Sequence, residues 1–291
     1  MEYRRRRRDR YRPRKGGPLS AYLLIGGTAA LLAYLFSASE IGGRIAGEWL
    51  APALARASDA DTGAKNTPVA PSPSPTVPER VAVETEIVMP AVAYYALQIG
   101  VYTSRDNADK QSAELKRIGA AGYVREDGGR YRVLAAAYPD RESMEKVASQ
   151  LRAEGIESAE YLIECAARTL TVTAGADDAA VVQSAAGAPG KALTMLYDAA
   201  IAFDRDGRTV EEGVAAAGPC LSLLTAELGS LDRAAYQNDA ETRALCSLLQ
   251  DLCAAVEPLQ AYSGDERAGF SAALKGAFLT AAFACQAYAS H

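Results

Sequence analysis

The spacing of apolar residues along this chain changes from segment to segment, and each change marks a different kind of element. Leu19 to Phe36 contains no charged residue. At 1.5 Å per residue such a helix spans about 27 Å, close to the roughly 30 Å hydrocarbon core of a bilayer, so a transmembrane helix is expected over 19–36. Tyr22 and Tyr34 lie near its ends, where interfacial aromatics belong. Beyond it, Ile41, Ile45, Trp49 and Leu50 sit at helical spacing, which fits either a continuation of the anchor or a helix lying along the membrane surface. From Ala57 to Val92 the periodicity stops and Pro68, Pro71, Pro73, Pro75, Pro78 and Pro90 appear among Ser, Thr and Ala. Residues 37–93 therefore read as a juxtamembrane segment followed by a proline-rich linker. The proline-rich part would reach about 110 Å if fully extended at roughly 3.1 Å per residue.

Residues 94–165 carry a different pattern, and it occurs twice. A shift of 36 positions lays Tyr95–Tyr102 over Tyr131–Tyr138, Arg105 over Arg141, Leu115 over Leu151 and Gly119 over Gly155. Each copy opens with alternating apolar residues (Leu97, Ile99; Val133, Ala135), the mark of a half-buried strand. Each continues into one apolar helical stripe: Ala108, Gln111, Leu115 and Ile118, then Met144, Val147, Ala148 and Leu151. Ser104 and Asp140 suit the helix N-caps, and Gly119 and Gly155 the left-handed positions after each helix. Further strands are expected near Ala121–Glu126 and Ser158–Glu164. The order βαββαβ predicts an α+β unit, a four-stranded antiparallel sheet with both helices on one face.

One layer of helices leaves the opposite face of such a sheet free, and a ligand would lie there. Strand parity turns Leu97 and Ile99 toward the helices and Gln98 away from them. A bulge at Gly100 would shift the phase, turning Tyr102 in and Val101 out. On the third strand Arg132 and Leu134 point out while Tyr131 and Val133 pack in. The candidate binding residues are thus Gln98, Val101, Arg132 and Leu134.

The formal charge of −5 conceals a split. Residues 1–15 hold nine Arg and Lys against Glu2 and Asp9, a net +7, so the rest of the chain carries −12. Set against the apolar run, this basic tail (residues 1–18) orients the anchor with its N-terminus in the cytoplasm and the bulk outside. A cleaved signal peptide shares the template, with Ser37-Ala38-Ser39 as its small-residue stretch, although its apolar region usually runs only about 7 to 15 residues. A −12 exterior repels nucleic acid and other polyanions and favours a neutral ligand held by hydrogen bonds and apolar contact.

With these residues in place, 94–165 resembles a SPOR (sporulation-related) domain. That family opens on aromatic, x, apolar, Gln, apolar, Gly, x, aromatic, matched by Tyr95, Leu97, Gln98, Ile99, Gly100 and Tyr102. Its second pattern is matched by Tyr131, Arg132, Val133 and Tyr138. The chain departs from it at Ala136-Ala137, where Gly-Pro is usual, and at Val101, where a small polar residue is frequent. The resemblance implies binding to peptidoglycan glycan strands, typically strands stripped of peptide stems at division or sporulation septa. RNA-recognition domains share the βαββαβ order, but the chain has no aromatic run of their kind.

From Ala166 the character becomes alanine-rich and helical. After a strand-like Thr169–Thr173, helices are expected at Asp177–Ala186, Lys191–Asp204, Val210–Leu228 (broken at Pro219), Asp239–Tyr262 and Arg267–Ala289, giving an all-α bundle within 166–291. Leu221, Leu224 and Leu228, and Leu245, Leu249, Leu252, Val256 and Leu259, form the expected core stripes. Phe270, Phe278, Phe283 and Tyr288 either seal the bundle or form a docking surface. Residues 188–289 could recruit other envelope or division proteins, a scaffold role that is the alternative to glycan binding.

No cofactor, metal site or catalytic activity is expected. The single histidine is His291, so zinc and cysteine-peptidase chemistry lack their usual partner. A glycosidase using two carboxylates is the remaining enzymatic option. The five cysteines, Cys165, Cys220, Cys246, Cys253 and Cys285, follow no zinc spacing, and an odd number leaves at least one free thiol.

Overall fold

A computed structural model describes residues 82–233 and 240–290 of the chain. The basic tail, the membrane segment 19–36 and the linker as far as residue 81 lie outside the described residues. The elements run β1 (Val83–Met89), β2 (Val92–Tyr102), α1 (Arg105–Arg117), β3 (Tyr123–Asp127), β4 (Arg130–Tyr138), α2 (Arg141–Ala153), β5 (Ala159–Cys165), β6 (Arg168–Ala174), α3 (Ala176–Arg205), α4 (Val210–Arg233), α5 (Ala240–Gln260) and α6 (Arg267–Ala289).

The repeat folds as its pattern requires. Strands β2 to β5 form one antiparallel sheet in the order β3-β4-β2-β5, with α1 and α2 on one face. Leu97, Val133 and Tyr138 meet Ala108 and Leu115 of α1 and Met144, Val147 and Leu151 of α2 in one buried cluster. Asp140 caps α2 by accepting from the Ser143 amide at 2.7 Å, whereas Ser104 holds the N-cap position of α1 without a side-chain bond. Gly119 and Gly155 follow their helices at φ 84° and 81°, a conformation that costs glycine little.

Three expectations change. Val83–Met89, assigned above to the linker, is a strand. It pairs antiparallel with β6 from Val83↔Ala174 to Met89↔Arg168. Its alternation (Thr85, Ile87 and Met89 inward; Glu84, Glu86 and Val88 outward) is legible only once a partner 79 to 91 residues away is known. The helices expected at Asp177–Ala186 and Lys191–Asp204 are one, because Pro189 removes a single N–H donor while Ala188, Ala192 and Leu193 around it are buried. For the same reason α4 passes through Pro219 without a break.

The third change concerns the far face of the sheet. Helix α6 crosses it, and Tyr94, Ala96, Leu134 and Ile163 share one buried cluster with Phe278 and Phe283 of α6 and with α3, α4 and α5. Phe278 meets Tyr94 edge-on at 5.1 Å. This explains why α6 is apolar nearly all round: one side seals the bundle and the other lies on the sheet. The sheet and the bundle therefore share a core.

A buried polar pin fixes that packing. Lys275 Nζ of α6 donates to the Gly119 carbonyl at the end of α1 (2.6 Å) and to Ser271 Oγ (2.9 Å), and lies 2.7 Å from Asp204 Oδ2 of α3. Ser271 Oγ in turn donates to Asp204 Oδ1 at 2.6 Å. Burial pulls the Lys275 ammonium below the ordinary lysine range, and the Asp204 carboxylate opposes that pull.

All five cysteines are free thiols. Burial pushes Cys165 and Cys220 up to about 11 and Cys285 up to about 12, from an ordinary 9.0. Because these folded-state values lie above the unfolded one, their stabilising contribution is complete below pH 9.0 and is lost as pH climbs through 11 to 12. Under reducing conditions the unfolding free energy should fall between about pH 9 and about pH 12. In the native chain at pH 8 an alkylating reagent should label the half-buried Cys246 and spare the other four, as peptide mass spectrometry would read.

Candidate functional site

The site begins with the bulge in β2. Pairing with β4 shifts register between Leu97 and Gln98 and again between Gln98 and Gly100, so that Gln98 faces Leu134 while Val101 faces Arg132. The second shift is the bulge expected at Gly100. It turns Tyr102 toward α1, where its hydroxyl donates to Gln111 Oε1 at 3.2 Å, and leaves Val101 outward and 38% exposed. Gln98, Val101, Arg132 and Leu134 thus share the face away from α1 and α2.

Arg132 organises the open part of this face. Its Nη1 donates to Gln98 Oε1 at 2.8 Å and its Nε to Asp127 Oδ2 at 2.7 Å. The first bond orients the Gln98 amide, since only its oxygen can accept from a guanidinium, and turns the Nε2 donors away from Arg132. The Arg132–Asp127 pair is partly exposed and adds little to stability; together with the bond to Gln98 it ties the guanidinium at two points. The Arg132 guanidinium also lies 5.5 Å from the ring of Tyr161, one strand beyond β2. The result is a shallow surface of fixed hydrogen-bonding groups bordered by an aromatic ring.

Leu134 is placed otherwise than expected. Parity turns it to this face, but it is fully buried in the cluster that includes α6. The expectation that the whole face stands free is corrected here, because the covering helix comes from the far end of the chain. The face is divided, with Gln98, Val101 and Arg132 on its open part and Leu134, Ala96 and Tyr94 beneath the bundle.

Three further residues complete the surroundings. Tyr123 and Arg125 alternate outward on β3, and Tyr161 on β5. Burial raises the Tyr123 hydroxyl above its ordinary range, opposed by the charge and hydrogen bond of Arg125. The period of two on β3 and β5 would have given their side of the sheet, but their roles depend on what α6 brings to them. Elsewhere, a groove of about 600 Å³ runs between α1 and α6, with Asp109 and Lys116 on one wall and Gly276 and Thr280 on the other. It contains none of the four expected residues. Among the described residues no cluster of histidine, cysteine or carboxylate could hold a metal.

Comparison with known proteins identifies the sheet and its two helices. Residues 91–161 match the model of the SPOR domain family. Among solved structures, the chain is similar to the solution structure of the peptidoglycan binding domain of the B. subtilis cell wall lytic enzyme CwlC. The two are 23% identical over 24% of this chain and 89% of that one, with a TM-score of 0.22. No curated protein matches the chain.

Proposed function

Since the chain carries a SPOR domain, we propose that it binds peptidoglycan glycan strands, holding them on the open part of the sheet face, and that residues 19–36 anchor it in the cell membrane. The observation that carries this reading is the Arg132–Gln98 pair, two residues of the family's motifs joined at 2.8 Å on the face away from the helices. Gln98 Nε2 and the remaining Arg132 N–H groups donate to sugar hydroxyls and acetamido carbonyls, Val101 supplies apolar contact, and the ring of Tyr161 offers a stacking surface. Leu134 supports the site from below rather than touching the ligand.

In the same reading the arginine-rich tail stays in the cytoplasm and the proline-rich linker carries the domain outward into the wall, at division or sporulation septa. The expected result is retention of the full ectodomain on sacculi stripped by amidase, beyond that on untreated sacculi. Gln98→Ala with Arg132→Ala should weaken retention about tenfold, the loss of two hydrogen-bonding groups at roughly 0.5–1.5 kcal/mol each. Retention unchanged by the double substitution would refute the assignment.

The burial of Leu134 beneath α6 favours a second reading, in which the sheet is chiefly a support and the helices of 188–289 recruit envelope partners. A fluorescent fusion of the full chain separates the two. Septal position lost with Gln98→Ala and Arg132→Ala supports glycan targeting; position kept supports recruitment through the bundle.

A further inference from the structure

Phe283 of α6 sits in a cage supplied by the sheet. Tyr123 stacks on it with centroids 5.3 Å apart and 16° between planes, the Arg125 guanidinium lies 4.6 Å from its centroid, and Tyr161 closes a third side at 6.1 Å. A phenyl ring fills this cage without satisfying it, because Arg125 Nε is buried with no hydrogen-bond partner. A pyranose ring has a flat C–H face for the two tyrosines and also acceptor oxygens, which Arg125 Nε lacks. The cage continues into the open surface, since Tyr161 borders Phe283 on one side and Arg132 on the other.

We propose that Tyr123, Tyr161 and Arg125 form a second sugar subsite beside Gln98 and Arg132, and that Phe283 is its intramolecular occupant, so that α6 and the glycan compete for it. The inference rests on the glycan reading above. A ligand that must displace Phe283 binds with an affinity reduced by the fraction of chains in which the cage is open. Removing the aromatic ring removes that competition.

The test titrates the full ectodomain with glycan oligomers stripped of peptide. Phe283→Leu keeps an apolar side chain but cannot stack, and should tighten binding by about three- to tenfold, the equivalent of one lost aromatic pair. Affinity unchanged or weakened in a folded Phe283→Leu variant overturns the proposal. A second measurement holds even where the variant fails to fold. With 4-fluorophenylalanine in place of every phenylalanine of the otherwise unaltered ectodomain, saturating glycan should move the fluorine resonance of Phe283, and a resonance that stays in place overturns the proposal. If the unaltered chain binds through Gln98 and Arg132 while Phe283→Leu changes nothing, this inference alone fails. If neither chain binds stripped glycan, the glycan reading fails with it. If only Phe283→Leu binds, the occupant role stands.

Discussion

Replacing Asp204 with alanine should lower the unfolding free energy by about 3–5 kcal/mol, the cost of leaving one member of a buried ion pair without its partner. Lys275 and Asp204 are 2.7 Å apart, with only 6% and 8% of their side chains exposed. In the variant the Lys275 ammonium would keep the Gly119 carbonyl and Ser271 Oγ but lose the carboxylate 2.7 Å away. The penalty comes from the stranded charge rather than from a large net value of the pair, so the double variant Asp204→Leu with Lys275→Met should recover most of the loss. Urea unfolding of the three chains decides it. A single variant within about 1 kcal/mol of the parent would mean that water reaches Lys275 and that the pin does not hold α6 against α1.

Leu134→Ala should cost about 2–5 kcal/mol, the range for a buried leucine cut back to alanine in a core that cannot fully collapse. On a chain of this size that is on the order of 5–15 °C in Tm. The same substitution on an open sheet face would stay within about 0.5 kcal/mol and would act on ligand binding instead. Differential scanning calorimetry, with glycan binding measured well below Tm, therefore tells a supporting Leu134 from a contacting one. The expected pattern is a large loss of stability and a change in affinity smaller than that of Gln98→Ala with Arg132→Ala. Intact stability with lost binding would return Leu134 to the ligand surface and contradict its burial under α6.

The contrast between Leu134 and Arg132 shows how far a local pattern reaches. Both lie on β4 with the same parity, and the alternation of that strand places both on the face away from α1 and α2. That parity was legible because a strand repeats every two residues, whatever lies above it. The 36-residue repeat, the bulge near Gly100, the capping Asp140 and the left-handed Gly119 and Gly155 were legible for the same reason: each is fixed by residues a few positions apart. Strand β1 was not, because an isolated seven-residue alternation next to prolines gives no sign of β6. Nor was helix α3 as one piece, since the Gly187 to Gly190 stretch reads as a break until the packing of Ala188, Ala192 and Leu193 outweighs the single bond lost at Pro189.

By itself the sequence determined the topology of the sheet, the side on which Gln98, Val101, Arg132 and Leu134 stand, and the apolar faces of the later helices. These follow from periods of 2 and 3.6 residues and from turn chemistry, which act over one element at a time. Only the tertiary structure decided which part of the sheet is open. Apolar burial has no direction and no range along the chain, so an aromatic helix at positions 267–289 could cover Leu134 and fill the cage of Tyr123, Arg125 and Tyr161 while no residue near them in sequence announced it.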